Sequence, residues 1–288
     1  TYAGYMLLYL SMIGIFFIGK TRVKDLSRSL DKINLKKKLF AIVLLAFVFS
    51  SNAAIAQEQT HTQQAAIDFD SIILADAFSL EHAEKFGSLI IQDSGGRMKP
   101  ANTFSSELLR KVSKSDTYKG LNSDQVLLSI MNTPAVWYNV PMIYLKRGND
   151  SLRRLTSVKK KEKYAPLLSF FDTDGNYKIA TQLEEAYRAA VPNQFQKDFI
   201  EVDKRVNLLY SALEGKIMRI FPVPNDPNNK WVSYPELNEA NFKAKDSLYV
   251  KNILPLYFQS LRLAQQDGDY SQADNLLESV YGFQKKFG

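Results

Sequence analysis

The chain has 288 residues, 45% of them hydrophobic, a formal net charge of +7 and no cysteine. The missing thiols exclude disulfides, thiolate metal sites and a cysteine nucleophile. The charge is concentrated: Lys20, Arg22, Lys24, Arg28, Lys32, Lys36, Lys37 and Lys38 against Asp25 and Asp31 give +6, leaving about +1 for the rest. A nucleic-acid partner needs a basic face on a folded domain, so this distribution argues against one.

Residues 1–19 read as a transmembrane helix, because Tyr2 to Gly19 is an uncharged run of 18 residues. Residues 39–56 hold a second such run, and a hydrocarbon core of ~30 Å takes about 20 helical residues. The basic loop 20–38 between them reads as cytoplasmic by the positive-inside rule. Lys36-Lys37-Lys38 before this second run, and Ala54-Ile55-Ala56 at its end, also give it signal-peptide character. The apolar segment ahead of it favours a retained membrane helix. Residues 57–67 form a polar tether, and 68–288 an extracytoplasmic, mainly helical domain.

Within that domain Ser79 is placed to cap a short helix with Glu81 in its first turn and Gly87 as its stop. Leu80, Ala83 and Phe86 should share one face. Ser88–Gln92 and Arg97–Lys99 read as the strands of a hairpin around Asp93-Ser94-Gly95-Gly96. Asn102 or Thr103 should cap the next helix, and Asn122 with Gln125 the one after, which Asn132-Thr133-Pro134 ends. Residues 168–180 read as a hairpin or loop around Asp174-Gly175, followed by a helix with a Thr181/Glu184 capping box.

The clearest periodicity runs through Phe195, Phe199, Val202, Val206, Leu209, Leu213, Ile217 and Ile220. These fall on one stripe of a 26-residue helix, about 39 Å long, ended by Phe221-Pro222-Val223-Pro224. Asn225–Trp231 reads as a loop. Ser247–Gln266 and Ser271–Phe287 then form a helix pair joined through Asp267-Gly268-Asp269, with Pro255 inside the first. The pair has the turn of a single tetratricopeptide unit, with no preceding 34-residue period. The fold class expected is therefore mainly α: two N-terminal transmembrane helices, then a helical extracytoplasmic domain with one or two small β-hairpins.

Only two histidines are present. His61 lies in the polar tether and reads as solvated. His82 sits among Glu81 and Glu84, where the ordinary reading is a surface or capping residue and the functional one a metal ligand or proton shuttle. Asp172-Thr173-Asp174-Gly175-Asn176 lacks the Gly at position six and the Glu at position twelve of an EF-hand, so a turn is expected. Ser94-Gly95-Gly96-Arg97 lacks the spacing and the Lys of a phosphate loop, and no serine has a Gly-x-Ser-x-Gly context. Trp137 and Trp231 read as core or loop anchors. A hydrolase is disfavoured, and no self-contained active site is present.

Four runs carry a resemblance: Glu81–Thr103 (EHAEKFGSLIIQDSGGRMKPANT), Leu121–Leu145 (LNSDQVLLSIMNTPAVWYNVPMIYL), Phe170–Lys178 (FFDTDGNYK) and Ile217–Val232 (IMRIFPVPNDPNNKWV). In this order they resemble the fused system II cytochrome c biogenesis proteins, the CcsBA-type cytochrome c synthetases. On that likeness residues 1–19 correspond to the end of the ResB-like part, and the domain precedes the CcsA-like part. The resemblance implies a cytoplasmic-membrane protein with its main domain outside. It also implies haem as cofactor of the full-length family protein, with apocytochrome c and the CcsA-like haem-handling part as partners.

The family joins haem to Cys-x-x-Cys-His of apocytochrome c, and its tryptophan-rich segment lies in the CcsA-like part. This chain has no Trp-Trp-Asp and no Cys-x-x-Cys-His. Haem ligands therefore do not transfer, and His82 stays the candidate haem-proximal residue without a family role. The expectation is a scaffold that positions apocytochrome c or haem. The alternative is an extracytoplasmic receptor or partner-binding domain unrelated to haem.

Overall fold

In the computed structural model the described residues are 68–288. Their local sequence explains most element boundaries. Asp68 caps helix α1 (Phe69–Ala75) by accepting from the Asp70 and Ser71 amides. Ser79 caps α2 (Leu80–Gly87) through the His82 amide. Strands β1 (Ile90–Gln92) and β2 (Met98–Pro100) form the expected hairpin, pairing Ile91 with Lys99. Helix α3 (Ala101–Ser113) starts directly after Pro100 with no side-chain cap, so neither Asn102 nor Thr103 has the expected role. Helix α4 (Ser123–Asn132) does have its capping box, with Asn122 and Gln125 each bonded to the other's amide.

A single turn, α5 (Pro134–Trp137), follows, then β3 (Ile143–Tyr144), α6 (Asp150–Leu155) and β4 (Tyr164–Ala165), which pairs with β3. The 3₁₀ turn Leu167–Phe170 leads into a tight loop closed by a bridge between Phe171 and Tyr177. Helix α7 (Ala180–Arg188) begins without the Thr181/Glu184 box.

Helix α8 (Gln194–Leu213) is the predicted spine, but it is 20 residues long rather than 26. Gly215, at φ +69°, ends it: its amide bonds back to Ala212 O and the Lys216 amide to Ser211 O. Phe199, Val202, Val206 and Leu209 on its stripe are buried, while Phe195 at the first turn is exposed. Ile217 and Ile220 reach the core from the segment after the helix. The stretch read as a loop is held between β5 (Phe221–Pro222) and β6 (Trp231–Val232).

A 3₁₀ turn, Tyr234–Glu239, leads to α9 (Ala244–Asp267) and α10 (Ser271–Phe287), joined through Gly268 at φ +80°. Pro255 lies inside α9 and has no N–H for the Lys251 carbonyl. The Tyr234 hydroxyl donates to that carbonyl instead, at 3.2 Å.

The fold class expected from sequence is corrected here. Among the described residues no helix is long and apolar enough to cross a membrane. The long helices α8 and α9 carry charges along their length, and only one face of each is buried. The two segments expected to span, residues 1–19 and 39–56, lie outside the described residues, as do the loop 20–38 and the tether 57–67. The described part is a mainly helical domain with three two-stranded antiparallel sheets, against one or two hairpins expected.

One contiguous core joins these elements. Trp137, Phe86, Phe170, Phe199, Phe221 and Tyr257 are its largest fully buried side chains. Each such apolar side chain contributes about 1.5–3 kcal/mol by leaving water. Trp137 is the core anchor expected, its Nε1 donating to Ser129 Oγ at 3.0 Å.

Two glutamines stitch distant segments together. Gln92 N–H donates to Arg219 O, its Nε2 to Asn229 O, and its Oε1 accepts from the Trp231 amide at 2.8 Å. Gln284 on α10 donates to Ile90 O and Ile220 O and accepts from the Ile90 amide. Two of the runs that carry the family resemblance, 81–103 and 217–232, thus meet at Gln92.

Candidate functional site

Helix α2 turns two faces into the molecule. Gly87 sits against the start of α4, where a Cβ would stand 2.6 Å from the Asp124 carboxylate. Asp124 in turn accepts from Ser105 Oγ of α3. Burial pushes the Asp124 carboxyl above its ordinary value, against the Ser105 hydrogen bond that lowers it. The other inward face presents His82 to α9 and α10.

His82 is 1% exposed, so it is neither the surface nor the capping residue that its polar neighbours suggest. Its Nδ1 lies 2.7 Å from Asp274 Oδ1 on α10, and its Nε2 lies 2.8 Å from the Tyr257 hydroxyl on α9. Asp274 as a carboxylate only accepts, which places the ring proton on Nδ1. The Tyr257 hydroxyl then donates to Nε2. The Tyr270 ring is tilted against the imidazole at 5.0 Å, and its hydroxyl accepts from the Ser79 amide at 3.2 Å.

Burial pushes the imidazole below its ordinary pKa, outweighing Asp274, so the neutral ring is favoured. Burial raises the Asp274 carboxyl, but Lys85 and His82 outweigh it and hold the group below the usual carboxylate range. The Tyr257 hydroxyl is pushed well above its ordinary value by desolvation and the Asp274 charge. Lys85 Nζ, raised by its hydrogen bond to Asp274, lies 2.6 Å from Asp274 Oδ2 and 2.9 Å from Glu81 Oε1.

The result is a closed chain from Tyr257 through His82 and Asp274 to Lys85. Its outer end opens on a groove of about 310 Å³ lined by Lys85, Ser88, Leu89, Asp274, Leu277 and Tyr281. The chain can hold a proton between helices, and it ties α2, α9 and α10 together. Tyr257 and Asp274 are 175 and 192 residues from His82 along the sequence. The helix from Ser271 was readable in the sequence, but the link of its Asp274 to His82 was not.

The other sequence candidates separate. His61 lies outside the described residues. Asp172 accepts from the Asp174 and Asn176 amides at 3.0 and 2.7 Å, which makes its loop the turn expected. Asp93 accepts in the same way from Gly95 and Arg97. Trp231 is buried like Trp137.

His82 is not placed to ligate a resident haem. Both nitrogens of His82 are engaged within the protein. An apolar groove between Met131, Leu213, Met218, Tyr234, Pro255 and Phe258 measures about 190 Å³, below the ~300–1,000 Å³ of ordinary small-molecule pockets. A more polar groove of about 630 Å³, with Tyr118, Lys119, Asn139, Lys163 and Tyr164 among its walls, holds no histidine.

No family model matches the chain. Over 240 residues, 82% of its length, the chain is 29% identical to a protein of Wolinella succinogenes named Protein NrfI, and it spans about a quarter (25%) of that relative's length.

Proposed function

We propose that residues 68–288 act as a scaffolding or positioning domain in the maturation of c-type cytochromes, on the outer face of the cytoplasmic membrane. Its partners are apocytochrome c, haem in transit, and the CcsA-like haem-handling part of the machinery. The observation that carries this reading is the sequence similarity: to Protein NrfI over 82% of the chain, and to system II biogenesis proteins at four ordered runs. The geometry agrees with a supporting role. The imidazole of its most elaborate polar centre, His82, is buried and fully partnered.

A second reading, a receptor or partner-binding domain unrelated to haem, is favoured by one feature. Leu248, Leu256 and Leu263 are exposed along α9.

An in-frame deletion of residues 81–288 in the native organism separates the two. Loss of haem-stained holocytochrome c, with the remaining protein still present by blot, supports the maturation role. Normal holocytochrome c removes that role and leaves the partner-binding domain. In the same assay His82→Ala reports on haem proximity: unchanged haem content of the full-length protein and unchanged cytochrome yield remove His82 from haem handling.

A further inference from the structure

Among the described residues two arginines are nine-tenths or more buried, Arg153 on α6 and Arg205 on α8. Arg205 is compensated. Its Nη2 meets Glu201 Oε2 at 3.0 Å, its Nη1 donates to Tyr144 O at 3.1 Å, and its guanidinium lies over the Tyr144 ring. Arg153 is not. Its Nη1 donates to the carbonyls of Lys159 and Glu162 at 3.0 and 2.6 Å, its Nη2 is buried with no partner, and no carboxylate of the described residues lies within 4.0 Å. Carbonyl dipoles do not neutralise a full charge, and a buried charge without a counter-ion is costly.

The surroundings add positive charge rather than cancelling it. Residues 146–163 hold eight basic side chains (Lys146, Arg147, Arg153, Arg154, Lys159, Lys160, Lys161, Lys163) against Asp150 and Glu162. Both acids are otherwise engaged: Glu162 accepts from the Lys159 amide at 3.2 Å, and Asp150 pairs with Lys160 at 3.3 Å. Arg153, Arg154, Ser157, Lys159 and Lys160 line an open groove of about 710 Å³, with Asp150 on its wall. One of its lining residues is strained: Ser157 follows α6 at φ +57°, a left-handed position that glycine usually takes.

We propose that this groove is a subsite for an oxyanion, a phosphate or carboxylate group. Arg153 is the fixed positive charge beneath it, and Lys159 and Lys160 are the donors at its rim. The bound oxygens supply the counter-charge that the fold withholds from Arg153, and they displace Asp150 from Lys160. The recessed, single guanidinium suits a terminal oxyanion group better than the backbone of an extended polyanion. The group is carried by a free small molecule or by a lipid headgroup.

The test is calorimetric titration of the purified 288-residue chain at low ionic strength with inorganic phosphate and with acetate, against chloride. Sedimentation with phosphatidylglycerol and phosphatidylcholine vesicles forms the second arm. Saturable binding of phosphate or acetate is expected, with affinity reduced about tenfold or more in Arg153→Met and about threefold in the exposed pair Lys159→Gln and Lys160→Gln. Binding of the free anions without vesicle binding identifies a soluble ligand. Binding to phosphatidylglycerol that Arg153→Met weakens identifies a headgroup.

The proposal is overturned if neither anion nor anionic vesicle binds more than its control. It is equally overturned if folded Arg153→Met binds like the parent. Should Arg153→Met fail to fold, the lysine pair decides: weakened binding supports the subsite and unchanged binding removes it.

Discussion

The centre at His82 and the groove at Arg153 both bury a nitrogen base, and they differ in where its partners come from. Around His82 each ring nitrogen finds an oxygen on a different helix, and one of those oxygens belongs to a full carboxylate. Around Arg153 the partners are two carbonyls from the next nine residues, and the carboxylates of that same stretch point elsewhere. Partners drawn from distant segments lock the fold, because separating them costs tertiary structure. Partners drawn from a neighbouring loop fix only the loop, and they leave a charge available for something outside the chain.

The comparison can be broken by mutation. Leu209 on the α8 stripe is fully buried and sets the ceiling: Leu209→Ala should cost about 2–5 kcal/mol in urea unfolding, and a loss under 1 kcal/mol would mean the spine is not core. At the locked centre, Asp274→Ala leaves a buried imidazole without its acceptor and should cost about 1–3 kcal/mol.

The same centre should respond to pH. Burial holds His82 below its ordinary 6.5 in the folded state, so below about pH 6.5 the unfolded chain binds the extra proton. Stability should therefore fall as pH drops from 7.5 to 5.5. In His82→Gln that part of the slope should vanish. The depressed Asp274 carboxyl acts in a separate, more acidic window, below its ordinary 3.8. An unchanged slope in His82→Gln would mean the imidazole titrates as if exposed.

At the open groove the expected costs are smaller. Without added anion, Arg153→Met should cost less than Arg205→Met by about 1 kcal/mol, because it removes a buried charge that has no carboxylate beside it. Equal losses would erase the distinction between the two arginines. Ser157→Gly should stabilise by about 0.5–1 kcal/mol, by removing the left-handed strain at the end of α6.

Local chemistry was legible in the sequence. The Ser79 cap, the Asn122/Gln125 box, the Asp93–Arg97 turn of the β1–β2 hairpin and the Gly268 joint each depend on residues within four positions of one another. Helices α3 and α7 begin where no side chain caps them, so searching for a cap misplaced their starts. The end of α8 was missed because the apolar stripe continues past Gly215 in a segment that reaches the same core by another route. Strands of two residues are too short to show alternation, which hid the β3–β4 and β5–β6 pairs. His82 read as polar because its helical neighbours are acidic, while the groups that bury it come from the far end of the chain.

The charge tally failed differently. About +1 beyond the first basic loop concealed a second basic stretch, 146–163, balanced by acids spread over the rest of the domain. A running charge would have revealed it where the total did not.

Pro255 gives α9 a mechanical character that its neighbours lack. The carbonyl of Lys251 is held by a phenol from another segment instead of by the helix's own ladder. That makes one joint in an otherwise continuous rod, two residues before the tyrosine that faces His82. Bending at the joint and loosening of the imidazole should then be a single event. Tyr234→Phe, a change on the surface, should be felt in the buried centre as faster deuterium uptake around Tyr257.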